Sequence, residues 1–348
     1  MKTQQNEKPN SVFMKSVPNL LLLGIIFLSS CTKQKDECVF IPKTENIKIE
    51  LQIESLQDSF VNVASRTKLV SLLARRPAIR DYIFRRTEYP DDSIFINELY
   101  RRFNNPHVDT LLTETRRVFG DLSELKAQFT EAFTNIKYYY PNFYPPKIQT
   151  LISGLDTDLL VTDSLIIVSL DYYLGPGAKY RPKMYDYLLK QYEKENIVPS
   201  CLLIYGIDDR FNKTDLNDKT VLADMIAYGK SYYFAKHMLP CVPDSVFMWY
   251  SSEEIKGAKK NQDLIWARLI EDQVLYATNH MIKQKFLGER PKTIEVGEKC
   301  PGRIAQWIGW QIVNKYAETH SETTLSEIMK INNADKLFKE SRYKPEKR

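Results

Sequence analysis

The feature that most limits what this chain can fold into is a short apolar run near its start. Residues 19–28 (NLLLLGIIFL) follow a polar, mildly basic segment at residues 1–16. About 10 apolar residues are too few for a transmembrane helix, which needs roughly 20 to cross a hydrocarbon core of about 30 Å. A basic segment before such a run is typical of a secretory signal peptide, so residues 1–30 are predicted to lie outside the folded body.

The run ends at Leu28-Ser29-Ser30-Cys31, which resembles a bacterial lipobox. In signals of that kind the cysteine sulfur receives a diacylglycerol, cleavage occurs before the cysteine, and the new amino group is acylated. The resemblance predicts a covalent lipid on Cys31 as membrane anchor, with each buried methylene contributing about 0.8 kcal/mol. The alternative is a short buried helix followed by an incidental cysteine. No other cofactor is expected.

The mature chain is predicted to be a tether followed by one globular domain. The lipidated tether covers residues 31–45, and Lys35-Asp36-Glu37 within it resembles an export signal of surface lipoproteins in Bacteroidota. An ordinary solvated linker explains those three residues equally well. The domain is predicted over residues 46–342, with a frayed tail over residues 343–348.

The charge of the mature chain argues against nucleic acid as a partner. The whole sequence has a formal net charge of +5, and residues 1–30 contribute three lysines and one glutamate (+2), which leaves +3. Proteins that bind nucleic acid neutralise many phosphates with lysine and arginine side chains. A net charge of +3 on a chain of this length does not favour such binding.

Four segments have the pattern of β-strands. Residues 47–53 alternate strictly between apolar and polar, and three short strands are predicted at residues 147–152, 159–162 and 164–170. A helical period dominates elsewhere, beginning over residues 65–140. The pattern predicts an α+β fold that is mainly helical, with a small, mostly antiparallel sheet packed on helices.

The helices are predicted from apolar stripes and from caps. Further long helices are expected over residues 219–239 and 252–276, and the last one follows Cys300-Pro301-Gly302. In that last helix Ala305 and Gly309 stand four apart, which predicts the close approach of another backbone. The clearest stripes are Phe95, Leu99 and Phe103; Leu125, Phe129, Phe133, Ile136 and Tyr140; and Ile304, Ile308, Ile312 and Tyr316.

Four further cysteines, Cys38, Cys201, Cys241 and Cys300, allow two disulfides outside the cytoplasm. Cys201 and Cys241 each stand beside a proline in what reads as a loop. A disulfide between Cys201 and Cys241 is therefore predicted.

No motif for catalysis or metal binding is found in the sequence. The four histidines never stand three to five residues apart, and HExxH, GxSxG, P-loop and GxGxxG patterns are absent. Asp156 and Asp158 are interpreted as turn residues, with cation binding as the alternative. No catalytic or metal-binding residue is therefore assigned.

An aromatic segment with prolines is the candidate interaction surface. The segment follows a predicted helix, and its prolines prevent the helix from continuing. It is interpreted either as a lip that binds a peptide or as a plug between a helix and a strand. The residues concerned are Tyr138, Tyr139, Tyr140, Phe143 and Tyr144.

Several segments, in the same order and over nearly the whole mature chain, resemble the GldB family of gliding-motility lipoproteins from Bacteroidota. The most specific is residues 301–313 (PGRIAQWIGWQIV), and residues 136–143, 147–153, 163–175 and 225–230 also match. The resemblance implies a GldB-like domain and a role in gliding, a process connected in that phylum with type IX secretion.

The order of elements also resembles zinc metallopeptidases of the zincin type. Residues 222–230 (LADMIAYGK) lie where those enzymes have HExxH, and they contain no histidine. The kinship implies, at most, a degenerate zincin-like scaffold without its metal.

The favoured hypothesis is a lipid-anchored protein of the cell envelope that is not an enzyme. It would act through contacts with other gliding or secretion proteins, at the outer membrane, facing the periplasm or the surface. The alternatives are a lipid-anchored protein that binds a peptide or glycan, and a peptidase-like hydrolase without a recognisable motif.

Overall fold

A small central sheet separates two groups of helices. The computed structural model describes Cys38 and residues 40–345, so the predicted signal peptide, the lipid site Cys31 and most of the tether lie outside the described residues. The predicted class, a mainly helical α+β fold, is confirmed.

The sheet has four strands and is mixed, with mainly parallel pairing. The strands are β1 (Ile53–Ser55), β2 (Lys147–Leu151), β3 (Leu159–Val161) and β4 (Leu165–Ser169), in the spatial order β1-β2-β4-β3. β2 runs parallel to both β1 and β4, and β3 alone is antiparallel to its neighbour. The prediction of a mostly antiparallel sheet was wrong because β4 inserts between β2 and β3 instead of extending a meander.

Asp171 stabilises the connection that makes this order possible. The chain passes from β2 to β3 across the end of β4, and the buried Asp171 carboxylate accepts hydrogen bonds there from the backbone N–H groups of Ser153 (3.0 Å) and Leu155 (2.7 Å). Burial raises the pKa of Asp171 to about 6. These hydrogen bonds hold the connection between β2 and β3 across the end of β4, so that β4 can lie between the two strands.

The two faces of the sheet contribute to different hydrophobic clusters. In β4, Ile166 and Val168 belong to the larger cluster and Ile167 to the smaller one. This follows from the alternation of side chains along a strand. The N-terminal segment shows the same alternation, since Leu51 is buried between the exposed Glu50 and Gln52, although only residues 53–55 are paired as a strand.

The described residues of the first half of the chain form five α-helices. The stripe Phe95, Leu99 and Phe103 is buried as predicted. The stripe of the fifth helix is buried from Leu125 to Ile136. The helices are α1 (Gln57–Phe60), α2 (Arg66–Ala74), α3 (Asp92–Phe103), α4 (Pro106–Phe119) and α5 (Ser123–Tyr139).

Ten further α-helices are described in the second half. The predicted helix at 219–239 is present as α8, whereas the stretch 252–276 is divided at Asn261. They are α6 (Asp186–Leu189), α7 (Ile197–Ile207), α8 (Val221–Met238), α9 (Asp244–Met248), α10 (Ser252–Lys260), α11 (Gln262–Glu271), α12 (His280–Phe286), α13 (Ile304–Thr319), α14 (Leu325–Lys330) and α15 (Ala334–Ser341).

Helices α8 and α13 cross with their backbones in contact. A Cβ atom on Gly309 would lie 1.9 Å from the carbonyl oxygen of Met225, and one on Gly229 would lie 2.4 Å from the carbonyl group of Gly309. The close approach predicted for Gly309 is confirmed, and its partner is α8.

The predicted disulfide was wrong. Cys241 is bonded to Cys38, whereas Cys201 is a free, buried thiol inside α7. Pro199 suggested a loop, but it lies in the first turn of α7, where a missing backbone N–H costs no helical hydrogen bond. Cys201 therefore points into the core.

Tyr343, which was predicted to belong to the frayed tail, is packed against the body. Tyr343 is buried, its ring packs edge-on against Trp266 at 5.1 Å, and its hydroxyl accepts a hydrogen bond from Gln262 (2.7 Å). Residues 346–348 lie outside the described residues.

Candidate binding cleft

A cavity of about 440 Å³ opens between the edge of the sheet and the helices of the second half. Leu159 of β3 and Leu203 of α7 contribute two of its walls. Tyr228 and Tyr232 of α8 line it as well, and Arg303, just before α13, completes it. The cavity thus joins segments that are far apart in the sequence.

Two polar side chains on the α8 side of the cavity, those of Ser231 and Tyr232, are satisfied inside the protein. The Tyr232 hydroxyl donates to the side-chain oxygen of Gln306 (2.7 Å), and the Gln306 amide donates to the carbonyl of Leu287 (2.7 Å). The hydroxyl of Ser231 donates to the carbonyl of Leu203 (2.8 Å). These contacts make this side of the cavity a pre-formed surface.

Arg303 follows a tight turn in which only glycine fits at position 302. A Cβ atom on Gly302 would lie 1.9 Å from the carbonyl oxygen of Arg290, and Arg303 itself has a φ of 59°. The buried guanidinium lies 4.5 Å from the ring centre of Trp249 and donates to the carbonyl of Met248. Its Nε is 3.4 Å from a carboxylate oxygen of Glu289, so the positive charge is largely engaged.

Asp158 carries the negative charge at the β3 side of the cavity. One carboxylate oxygen accepts a hydrogen bond from the Tyr192 hydroxyl (2.9 Å), and the other accepts from the backbone N–H of Leu159 (2.8 Å). Burial and the Asp158 charge together raise the pKa of Tyr192 well above its ordinary value, so this partner stays neutral. Among residues 40–345, no lysine or arginine nitrogen lies within 4.0 Å of Asp158, although Arg85 and Arg102 both pair with Asp156.

The five residues of the predicted interaction surface are divided between surface and core, and none lines the cavity. Tyr144 is 79% exposed and Tyr138 is 38% exposed. Tyr139, Tyr140 and Phe143 pack against the larger cluster, with the Tyr140 ring 5.0 Å from Phe211. The segment is therefore mainly a plug, as the alternative interpretation had it, with an exposed tyrosine at each side.

Residues 222–230 of α8, which correspond in position to the HExxH segment of zincins, pack against neighbouring elements. Met225 and Gly229 face α13, and Asp224 pairs with Lys283 (2.7 Å). In the described part of the chain, no group of three or more His, Cys, Asp or Glu residues is arranged to hold a metal ion.

No helix of residues 40–345 is both long enough and apolar enough to cross a membrane.

The sequence indicated some of the cleft residues only in part. Asp158 was considered as a turn residue or a cation ligand, and Arg303 and Tyr228 lie in segments that carry the family resemblance. Tyr192 carries no local signal, since its role depends on the folding of separate segments.

Comparison with known proteins gives one match. The model of the family described as "Gliding motility protein GldB" matches residues 37–345 of the 348-residue chain. No curated protein and no solved structure matches significantly. The chain belongs to the gliding motility protein GldB family.

Proposed function

We propose that this GldB-family protein is a lipid-anchored component of the gliding apparatus at the outer membrane, which holds a partner protein in the cleft and is not an enzyme. Family membership supports the role in gliding, and the lipobox at Cys31 supports the anchor. The polar groups of the cleft support binding, because Ser231, Tyr232 and Arg303 already make internal contacts that a catalytic role would have to break.

The observation that carries the proposal is the Asp158 carboxylate beside an edge strand. β3 is one of the two edge strands of the sheet, and Leu159 brings it to the cavity wall. An edge strand presents backbone N–H and C=O groups to which an extended segment of another chain can add. The part of the edge beyond Leu159, whose own N–H is bonded to Asp158, would supply main-chain hydrogen bonds, and the cavity would take a side chain.

The charge of the cleft selects a basic side chain. Arg303 is balanced by Glu289, whereas Asp158 has only neutral donors as partners. The rings of Tyr192 and Tyr228 line the same cavity, and aromatic faces attract cations. The proposed occupant is therefore an extended segment of a partner protein that places a lysine or arginine against Asp158.

The test is site-specific photocrosslinking in a gliding bacterium that has this chain as its only copy. A p-benzoylphenylalanine in place of Tyr228 reports on the cavity, and one in place of Tyr185, which is exposed and does not line it, is the control. We expect position 228 to capture an intact envelope protein, crosslinked beside a lysine or arginine, that position 185 does not capture.

The isosteric change Asp158→Asn keeps an acceptor for Tyr192 and removes the charge. We expect it to lower the captured yield about tenfold, since a hydrogen bond to a charged group contributes about 1.5 kcal/mol or more, and to slow gliding at an unchanged protein level. Equal capture at both positions, no effect of Asp158→Asn, or a partner cut next to the crosslink would each overturn the proposal.

A further inference from the structure

The disulfide between Cys38 and Cys241 changes where the anchor is attached to the body. Cys241 lies in the turn between α8 and α9, and Cys38 is seven residues after Cys31. Seven residues reach at most about 25 Å, whatever their conformation. The Cα atom of Cys241 lies 4.3 Å from that of Cys38, so the turn between α8 and α9 stays within about 30 Å of the lipidated residue.

Without the disulfide the limit would be looser. Among the described residues between Cys38 and Leu51, only Pro42 is buried, 11 residues after Cys31, and Ile49 packs on the edge of the larger cluster. With Pro42 as the attachment the chain reaches roughly 40 Å, and with Ile49 roughly 60 Å, compared with about 25 Å to Cys38. Without the disulfide the body would therefore have a wider choice of faces to turn to the membrane.

Exposed apolar side chains lie next to this attachment point. Phe40 is 59% and Ile41 62% exposed, two and three residues after Cys38. The end of α5 lies beside the end of α8, since Asn135 donates to the carbonyl of Met238 (2.9 Å). The half-exposed Tyr138 belongs to that end of α5. Apolar and tyrosine side chains of this kind suit the boundary between water and lipid.

The acidic side chain of the turn is neutralised. Asp244, at the start of α9, is paired with both the buried Lys236 (3.4 Å) and the exposed Lys259 (2.8 Å). A surface with apolar tips and a paired carboxylate avoids repulsion from anionic phospholipid headgroups.

We propose that the disulfide fixes the α8–α9 turn, with Phe40, Ile41 and Tyr138, against the lipid headgroups, and so sets the face that the protein turns away from the membrane. The proposal rests on the lipid at Cys31 in the proposed function. Tyr228 is ten residues before Met238 on α8, about 15 Å along the helix, so the cleft is held near the membrane and clear of the headgroups.

The test uses the full lipidated chain in vesicles of phosphatidylethanolamine and phosphatidylglycerol. p-Benzoylphenylalanine is placed at Ile41 or Tyr138, or at the exposed Leu216 as control, which precedes the start of α8 and so lies about 27 Å along that helix from its other end. We expect phospholipid adducts, measured by mass, to be at least about fivefold more abundant at Ile41 and Tyr138 than at Leu216.

Two variants release the constraint in different ways. Cys38→Ser with Cys241→Ser removes the disulfide, and insertion of twelve Gly and Ser residues after Lys35 lengthens the tether while the folded body stays intact. In both variants we expect the amounts of phospholipid adduct at Ile41, Tyr138 and Leu216 to lie within about twofold of one another. Equal adducts in the unaltered chain, or a preference unchanged by the insertion, would overturn the inference. Cys31→Ser tests the anchor separately, because the chain should then leave the vesicles whatever its orientation.

Discussion

Lys230 shows how one buried charged residue organises a corner of the protein without an acidic partner among residues 40–345. Its ammonium donates to the carbonyl oxygens of Lys213 (2.6 Å), Ile331 (2.7 Å) and Met329 (3.3 Å). Three donors thus meet three acceptors, and burial lowers the pKa of Lys230 to about 7. The residue ties α8 to the loop before it and to the end of α14.

His237 should make the protein less stable in acid. Its Nδ1 is bonded to the carbonyl of Tyr233 (2.7 Å), and burial lowers the pKa of the imidazole from 6.5 to about 4. Because the unfolded chain binds the proton more readily, stability present above pH 6.5 is lost as the pH falls towards 4, by up to about 3 kcal/mol. Urea unfolding at pH 7.5 and pH 4.5 measures this loss.

The matched variants are His237→Gln and His280→Gln, since His280 is exposed at the start of α12. His237→Gln should be less stable than the unaltered chain at pH 7.5, and its free energy of unfolding should fall less between pH 7.5 and pH 4.5. The second should behave as the unaltered chain. An unchanged acid loss in His237→Gln would show that this histidine is not responsible.

At the scale of elements, the crossing of α8 and α13 predicts a large effect from one methyl group. In Gly309→Ala the new Cβ would lie 1.9 Å from the carbonyl oxygen of Met225, so the helices must move apart. We expect a loss of about 3 kcal/mol in the free energy of unfolding, as for severe overpacking. Gly257→Ala in α10, with no atom within 4 Å, is the control and should be neutral or slightly stabilising. Equal melting temperatures for the two variants would contradict the crossing.

The helices could be predicted because their signal is local. The stripe of α3 marks the side of that helix that the structure buries. The stripe of α13 is buried as well, although the first two turns of that helix are buried on all sides. The order of the strands is different, because alternation gives the face of a residue and not the neighbouring strand. The insertion of β4 depends on the buried Asp171 beyond its end, which no pattern in β2 or β3 indicates.

The disulfide and the cleft could not be predicted from the sequence for a related reason. Cys201 and Cys241 share a proline context, yet one lies inside α7 and the other follows α8. Asp158 and Arg303 meet one cavity from positions 145 residues apart (303 − 158). Such proximity is a property of the packed chain, so it could be seen only once the elements were assembled.

For the whole molecule, the sheet joins the two hydrophobic clusters into one unit. Leu151 and Ile167 enter the smaller cluster, whereas Ile148 and Ile166 on the same two strands enter the larger one. If either cluster opens, β2 and β4 lose one covered face. The two groups of helices should therefore unfold together.

A substitution in the smaller cluster tests this coupling. All four tryptophans follow residue 248, and Trp307 and Trp310 are buried in the larger cluster, so tryptophan fluorescence reports on that side alone.

Phe84 is fully buried in the smaller cluster, with its ring 5.4 Å from those of Phe60 and Phe103. Phe84→Ala should cost about 3–5 kcal/mol and should lower the urea midpoint seen by fluorescence as much as the midpoint seen by circular dichroism. Tyr82→Ala, at an exposed position of the same segment, should change neither. If Phe84→Ala instead produces an early circular-dichroism phase while the fluorescence midpoint stays in place, the clusters unfold separately and the sheet does not couple them.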